Sequence, residues 1–220
     1  SNRMHIAVNG WFWDRPDTGS GQYLRRLLPA LRRARPALHL TLIAPRGRAA
    51  DLPGDAALHE IDLPGGGHRA KVRFEQTLFP RAAAAVGADL AHVPYWGSPL
   101  RSPMPVVVTI HDLIPLLLPA YRGGLLARLY TGLVSAAAKG AAAILTDSDA
   151  SKADILQHLD VPAGRVFAVP LAAGERFTPQ ADPAEDRAVR ARYGLPADYV
   201  LYLGGYDVRK NVATLLRAYT

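Results

Sequence analysis

Val106-Val-Val-Thr-Ile-His111-Asp112-Leu113 sets an imidazole and a carboxylate at the end of an apolar, β-branched run. A histidine at a strand tip can hydrogen-bond a ligand hydroxyl or act in proton transfer. The plainer alternative is a buried histidine satisfied by backbone groups, with Asp112 capping the next segment. Asn9-Gly-Trp-Phe-Trp-Asp-Arg-Pro-Asp-Thr-Gly19-Ser20-Gly21 ends in two glycines just before a helical pattern. Glycines let backbone N–H groups approach a ligand, and a helix N-terminus favours an anion. A dinucleotide fingerprint would need G-x-G-x-x-G, and Leu24 stands where the third glycine belongs. By itself the loop serves equally well as a flexible turn or a ligand cradle.

Three further segments carry chemistry. Asp147-Ser148-Asp149 is a D-x-D triplet, a spacing that binds divalent metal in other proteins. Here two acids and Ser148 precede a helix, and Ser151-x-x-Asp154 repeats a capping pattern. Capping is the expected role and no metal is expected, while Ser148 is a candidate to face a cleft. His92-Val-Pro-Tyr95-Trp96-Gly97 offers aromatic faces for stacking on a ring, or simply a cleft wall. Gly204-Gly205-Tyr-Asp-Val-Arg209-Lys210-Asn211 joins glycines to adjacent cations, which suits a diphosphate: Lys210 as a point charge, Arg209 as a bidentate fork. A solvated basic turn is the alternative.

The elements that must position these groups alternate. Met4–Val8, Leu38–Ala44, Ala57–Asp62, Asp89–Val93, Val106–Ile110, Ala143–Thr146 and Val166–Val169 read as strands. Between them Gln22–Arg33, Val72–Val86, Leu125–Lys139 and Ser151–Leu159 read as helices, the first with Leu24, Leu27, Leu28 and Leu31 on one face. Strands separated by helices predict an α/β fold with a Rossmann-like, doubly wound parallel sheet. Ligands then bind beyond the carboxyl ends of the strands, where His111, Tyr95 and the Gly19–Gly21 turn fall. Residues 1–170 are expected to form that domain. Residues 171–197, rich in Ala, Pro and charge around a helix at Glu185–Tyr193, read as an interdomain linker. Residues 198–220 read as a buried strand, a glycine turn and a helix start, the opening of a second domain cut short.

Composition narrows the classes. The 220 residues are 49% hydrophobic, enough for a packed core, and contain no cysteine, which removes disulfides and thiolate sites. The net charge of +7 comes from 22 arginines and only four lysines, 26 in all, a bias that codon composition alone can produce. A basic surface favours phosphorylated ligands or anionic lipid. No aromatic-interleaved basic stretch is present, so nucleic acid is not an expected partner. The most apolar run, Val106–Pro119, is interrupted by His111, Asp112 and two prolines and falls short of the ~18 residues of a span. A cytoplasmic protein is expected. Peripheral contact with the inner face of a membrane stays open through the arginines of the first helix, Arg25, Arg26, Arg32, Arg33 and Arg35.

The ordered set "IAVNG", G-x-G-x-Y, "FEQTLFP", "DLAHVPYW", "VVVTIHDLIPL", "ILTDSDASKADI", "VFAVPLAAGERF" and "YVLYLGGYDVRKNVATLLRAY" resembles retaining glycosyltransferases of the GT-B, family 4 type. "HDLIP" and "RKN" resemble its bacterial mannosyltransferase-like branch. The resemblance implies two Rossmann-like domains facing a cleft, with the acceptor mainly on the first and a nucleotide-sugar donor mainly on the second. It implies transfer of a hexose, with mannose the first candidate, to a glycan or lipid-linked acceptor, with retention and without a metal or other cofactor. His111 would contact the transferred sugar as the catalytic-site histidine, with Gly19, Ser20, Gly21, Tyr95, Trp96, Asp112 and Ser148 around the cleft. Arg209 and Lys210 would bind the donor diphosphate. Gly205 and Ala172-Ala173-Gly174-Glu175 depart from the common pattern, and the family's E-x7-E glutamates would lie beyond Thr220. The 220 residues alone are therefore expected to be inactive. A GT-B-like nucleotide-sugar epimerase and a non-catalytic ligand-binding module are the alternatives.

Overall fold

A computed structural model of the chain describes residues 4–53, 56–174, 177, 179 and 182–219. The sequence readings at Glu175 and Thr178 lie outside them. The chain divides into two compact units, residues 1–171 and 172–220.

The first unit is built on seven parallel strands: β1 (His5–Asn9), β2 (His39–Pro45), β3 (Ala57–Ile61), β4 (Leu90–Val93), β5 (Val106–Thr109), β6 (Ala143–Thr146) and β7 (Val166–Ala168). Their order across the sheet is β3-β2-β1-β4-β5-β6-β7, so the chain winds outward one way from β1 and then the other. β1 pairs with β2 through Ala7 and Thr41 and with β4 through Ala7 and Ala91. All five residues of β1 are buried, as a central strand covered on both faces requires. Its alternate side chains go to opposite faces. Ile6 and Val8 pack with Leu24 and Leu28 on one face, while Ala7 joins Phe74, Phe79 and Trp11 on the other.

The first face is covered by α1 (Gly19–Ala34), whose leucine stripe is the one the spacing predicts. Thr18 caps it, its hydroxyl oxygen accepting the Gly21 N–H at 3.1 Å. The other face is covered by α2 (Gly67–Arg73), a π-turn (Phe74–Leu78) and α3 (Phe79–Ala85), where one uninterrupted helix was expected. A short helix α4 (Ile114–Leu117), then α5 (Leu125–Ala138) and α6 (Asp149–His158), follow β5 and β6. No helix of the described residues is long and apolar enough to cross a membrane.

The second unit holds α7 (Pro183–Tyr193), a 3-10 turn (Val208–Lys210) and α8 (Val212–Tyr219). Asp182 caps α7 through the Ala184 N–H at 2.8 Å, and Gly194 ends it in the left-handed region. The strand expected after Asp198 does not form. Val200 is 65% and Leu203 83% exposed, and among the described residues this unit offers no neighbouring strand to complete a ladder. An apolar run without a pairing partner gains neither hydrogen bonds nor burial.

Beneath the sheet's carboxyl edge, His92 of β4 bonds the Thr109 hydroxyl through Nε2 at 3.1 Å. Burial pushes its imidazole down to about 4. In the unfolded chain it titrates near ~6.5, so between those values the unfolded state holds more protons. Stability is therefore complete above about pH 6.5 and declines as pH falls toward 4, by on the order of 3 kcal/mol from this group. Urea unfolding at a series of pH values should show that decline, and His92→Leu should flatten it.

Candidate functional site

Past the carboxyl ends of β4, β5 and β6 the chain encloses a cavity of about 420 Å³, with Ser20, Tyr95, Trp96, His111, Asp112 and Tyr130 in its wall. Its deepest chemistry is at His111. The ring Nδ1 lies 2.7 Å from Oδ2 of Asp147, at the end of the neighbouring strand β6. With Nδ1–H donating to that carboxylate, the neutral imidazole carries its lone pair on Nε2, which is buried and has no partner among the described residues. Tyr23 of α1 packs edge-on against the imidazole at 4.9 Å, and its hydroxyl lies 3.4 Å from Oγ1 of Thr109. Ring orientation is thus fixed from two sides, by a strand and by a helix.

The indole N–H of Trp96 is also buried and unpartnered. His111 and Trp96 thus each line the cavity and each hold a buried ring nitrogen with no partner among the described residues. A buried polar atom without a partner is uncommon and calls for one. A polyhydroxylated ring donates and accepts at once, and the polar residues of the wall beside His111 are Ser20, Asp112 and Tyr130. The aromatic faces of Tyr95 and Trp96 supply its apolar contacts.

Sequence reasoning did not assign the group that holds this wall. Glu75, in the π-turn, is fully buried, and Lys71 one helical turn before it pairs with its carboxylate. Tyr130 of α5 donates from its hydroxyl to the same carboxylate, with both oxygens at 3.0 Å, and accepts from Lys71 Nζ. The ammonium also sits 4.3 Å from the centre of the Tyr130 ring and 5.0 Å from that of Tyr95. Burial pushes the Glu75 carboxyl up and the Lys71 ammonium down, while their attraction resists both shifts. Tyr95 donates to Asn9 Oδ1 at 3.2 Å, tying the wall back to β1. The available signal was an acid inside the apolar segment Phe74–Phe79 with a lysine at i−4.

Ser20, Tyr95, Trp96, His111 and Asp112 come together as the sequence suggested. Gly19 and Gly21 occupy the first turn of α1 but are not in the cavity wall. Gly21 has a packing reason to be glycine: a Cβ there would lie 1.9 Å from the Arg15 carbonyl oxygen. Around Gly19 the same test finds open space. Gly97 backs the wall, since a Cβ there would meet the Tyr95 ring and Glu75 Oε1 at 2.7 Å. The Ser148 hydroxyl caps α6, accepting the Ser151 N–H at 3.1 Å and donating to the Ser151 hydroxyl at 3.2 Å. Within the D-x-D triplet Asp147 is held by His111 and Asp149 lies in the first turn of α6. In the second unit Arg209 and Lys210 are exposed in the 3-10 turn, where Asp207 accepts the Arg209 N–H at 3.1 Å and faces its guanidinium at 3.4 Å.

This geometry makes two sets of variants informative. Gly21→Ala should destabilise the first unit by on the order of 3 kcal/mol or more, against less than about 1 kcal/mol for Gly19→Ala, in urea unfolding. Lys71→Met strands the Glu75 charge and should cost about 3–5 kcal/mol at pH 8. That deficit should shrink as pH falls, because the folded state then takes up a proton on Glu75. A deficit independent of pH would show that Glu75 and Lys71 face each other un-ionised in the folded protein.

The family model of Glycosyltransferase Family 4 matches residues 18–172. The O-antigen chain mannosyltransferase B of Escherichia coli is 33% identical over 114 residues, covering 51% of this chain and 30% of that protein. The serotype-specific mannosyltransferase WbdA of Escherichia coli is 31% identical over 120 residues, covering 54% of this chain and 15% of its own length. The matched region thus spans less than a third of these curated relatives. Among solved structures, Anabaena HepE in complex with UDP and glucose superposes with a TM-score of 0.60 at 14% identity, over 98% of this chain and 58% of that one. A sucrose-phosphate synthase structure from Thermosynechococcus elongatus gives 0.52 at 14% identity, over 87% and 97%. These likenesses are of fold, a Rossmann-like half of the GT-B architecture. With a family match across most of the first unit and a sheet of the same architecture, the chain belongs to Glycosyltransferase Family 4.

Proposed function

We propose that the chain forms the acceptor side, and the first donor-binding turn, of a glycosyltransferase that moves a hexose from a nucleotide diphosphate sugar to a glycan or lipid-linked acceptor. The observation that carries this reading is one cavity at the sheet's carboxyl edge that sets the aromatic side chains of Tyr95 and Trp96 beside His111, whose ring Asp147 orients at 2.7 Å. The two Escherichia coli relatives, both mannosyltransferases by name, make mannose the first sugar to test.

In this reading Asp147 holds the His111 tautomer, and His111 Nε2 accepts a hydrogen bond from a hydroxyl of the transferred sugar. Asp112 and Ser20 complete the polar rim. Arg209 and Lys210 bind the donor diphosphate and stabilise charge as it develops on the leaving group. The anomeric configuration is retained and no metal cofactor is required. Support for the latter comes from the engagement of Asp147 by His111, which gives the D-x-D acid nearest the cavity another task.

The test is transfer of radiolabelled sugar by the full-length protein from nucleotide diphosphate mannose, with the glucose donor alongside. His111→Ala should lower kcat by about 10²–10⁴, with a smaller fall for Asp147→Asn. Chelator should leave the rate unchanged, and the product should show the donor's anomeric configuration by proton NMR. Undiminished transfer by His111→Ala would remove the site from the reaction.

A further inference from the structure

Helix α5 is apolar on more than the side it buries. Ala127, Tyr130, Thr131 and Val134 form its inner arc and line the cavity, with Ala137 and Ala138 in the core below. On the opposite arc Leu125, Leu126 and Leu129 are 71%, 70% and 62% exposed, and Leu118, in the segment between α4 and α5, is exposed as well. Leu133 and Ala136 continue that arc along the helix. An amphipathic surface helix would carry charge there. This one carries leucine, and nothing in the first unit covers it.

The charges around this face have one sign. From Leu113 to Thr146 the sequence contains no aspartate or glutamate. Arg128 stands exposed on α5 with these leucines, and Lys139 at the far end is paired with Asp160 at 3.0 Å. Arg122 is exposed just before the helix at the rim of the cavity, with its Nε on the Leu116 carbonyl at 3.3 Å. A second copy of the same face would bring arginine against arginine. An anionic lipid surface answers both features, since it takes leucine into its acyl boundary and attracts the arginines. The arginines of α1 do not form such a face. Leu24 and Leu28 of that helix are buried in the sheet packing, and Arg25 pairs with Asp51.

We infer that the outer face of α5, with Leu118, Leu125, Leu126 and Leu129 flanked by Arg122 and Arg128, docks this protein on anionic membrane. The inference concerns binding alone and does not depend on the transfer reaction. Membrane contact thus moves from α1, where the arginines alone had suggested it, to a helix whose inner arc is cavity wall. A cavity held at the lipid surface is suited to a lipid-linked substrate.

Co-sedimentation of the 220-residue chain with vesicles tests it. Binding is expected to phosphatidylglycerol–phosphatidylcholine vesicles and to be much weaker with phosphatidylcholine alone. Leu125→Ser/Leu126→Ser/Leu129→Ser should weaken binding on the order of a hundredfold. Arg122→Gln and Arg128→Gln should weaken it about fivefold each. Arg26→Gln/Arg33→Gln on α1 should lose less than either α5 arginine. The changed side chains are exposed, Arg122 also reaching the cavity rim, and an unaltered circular dichroism spectrum and unfolding midpoint confirm that the variants fold. Absence of binding to anionic vesicles would overturn the inference. So would binding that the triple leucine variant retains, which would mean a purely electrostatic surface. Sedimentation equilibrium showing a dimer that the triple variant dissolves would overturn it in favour of a second copy.

Discussion

The pairing of β1 with β2 on one side and β4 on the other governs this protein. Parallel strands require a crossover between neighbours, and these crossovers carry helices. Because the winding reverses at β1, the loops after β1 and β4 diverge and leave room between them at the carboxyl edge. The loop after β1 contains the approach of Gly21 to the Arg15 carbonyl and leads into Ser20 at the start of α1. The loop after β4 contains Tyr95 and Trp96. His111 and Asp147 extend from the next two strands along the same edge. No local feature of those residues would bring them together without that reversal.

Inside this frame the first unit accepts a cost. Lys71 and Glu75 are taken out of water, and a buried ion pair is worth little when compared with well-packed apolar groups. What the pair provides is position. Its attraction, the Tyr130 hydroxyl and the two aromatic faces over the ammonium join three separate segments, α2, the π-turn and α5. The cavity wall is then held by directional contacts, where leucines alone would leave several packings close in energy. Trp96 and His111 belong to the same wall, so rigid polar support surrounds the residues a ligand would meet.

Most of the frame was legible from the sequence because it depends on short-range pattern. The leucines of α1 and the β-branched run of β5 announce their elements, and the rule for open α/β sheets places His111 at the binding edge. The partners were less legible. Asp147 looked like half of a metal pair or of a cap because its real partner, His111, is delivered by a different strand. Glu75 and Tyr130 are far apart in sequence, and only the packing of α5 beside α2 joins them. The apolar run from Tyr199 to Leu203 has strand composition, but pairing is a property of neighbours and none lies among the described residues of its unit. The arginines of α1 are plain in the composition, but composition counts charges without showing that Leu24 and Leu28 of the same helix are already buried.

The π-turn has a consequence for how this segment can vary. Phe74 and Phe79 are five residues apart and both fully buried, with the Phe79 N–H bonded to the Phe74 carbonyl. In an α-helix residues five apart are separated by roughly 140° around the axis, and each added or lost residue turns the downstream helix by about 100°. The wide turn takes up that difference and lets both rings and the Glu75 carboxylate serve the same interior. Removing one residue between Gln76 and Leu78 would restore ordinary helical geometry and rotate α3 away from the sheet. Length in this segment is therefore as much a determinant of the site as the identity of any side chain in it.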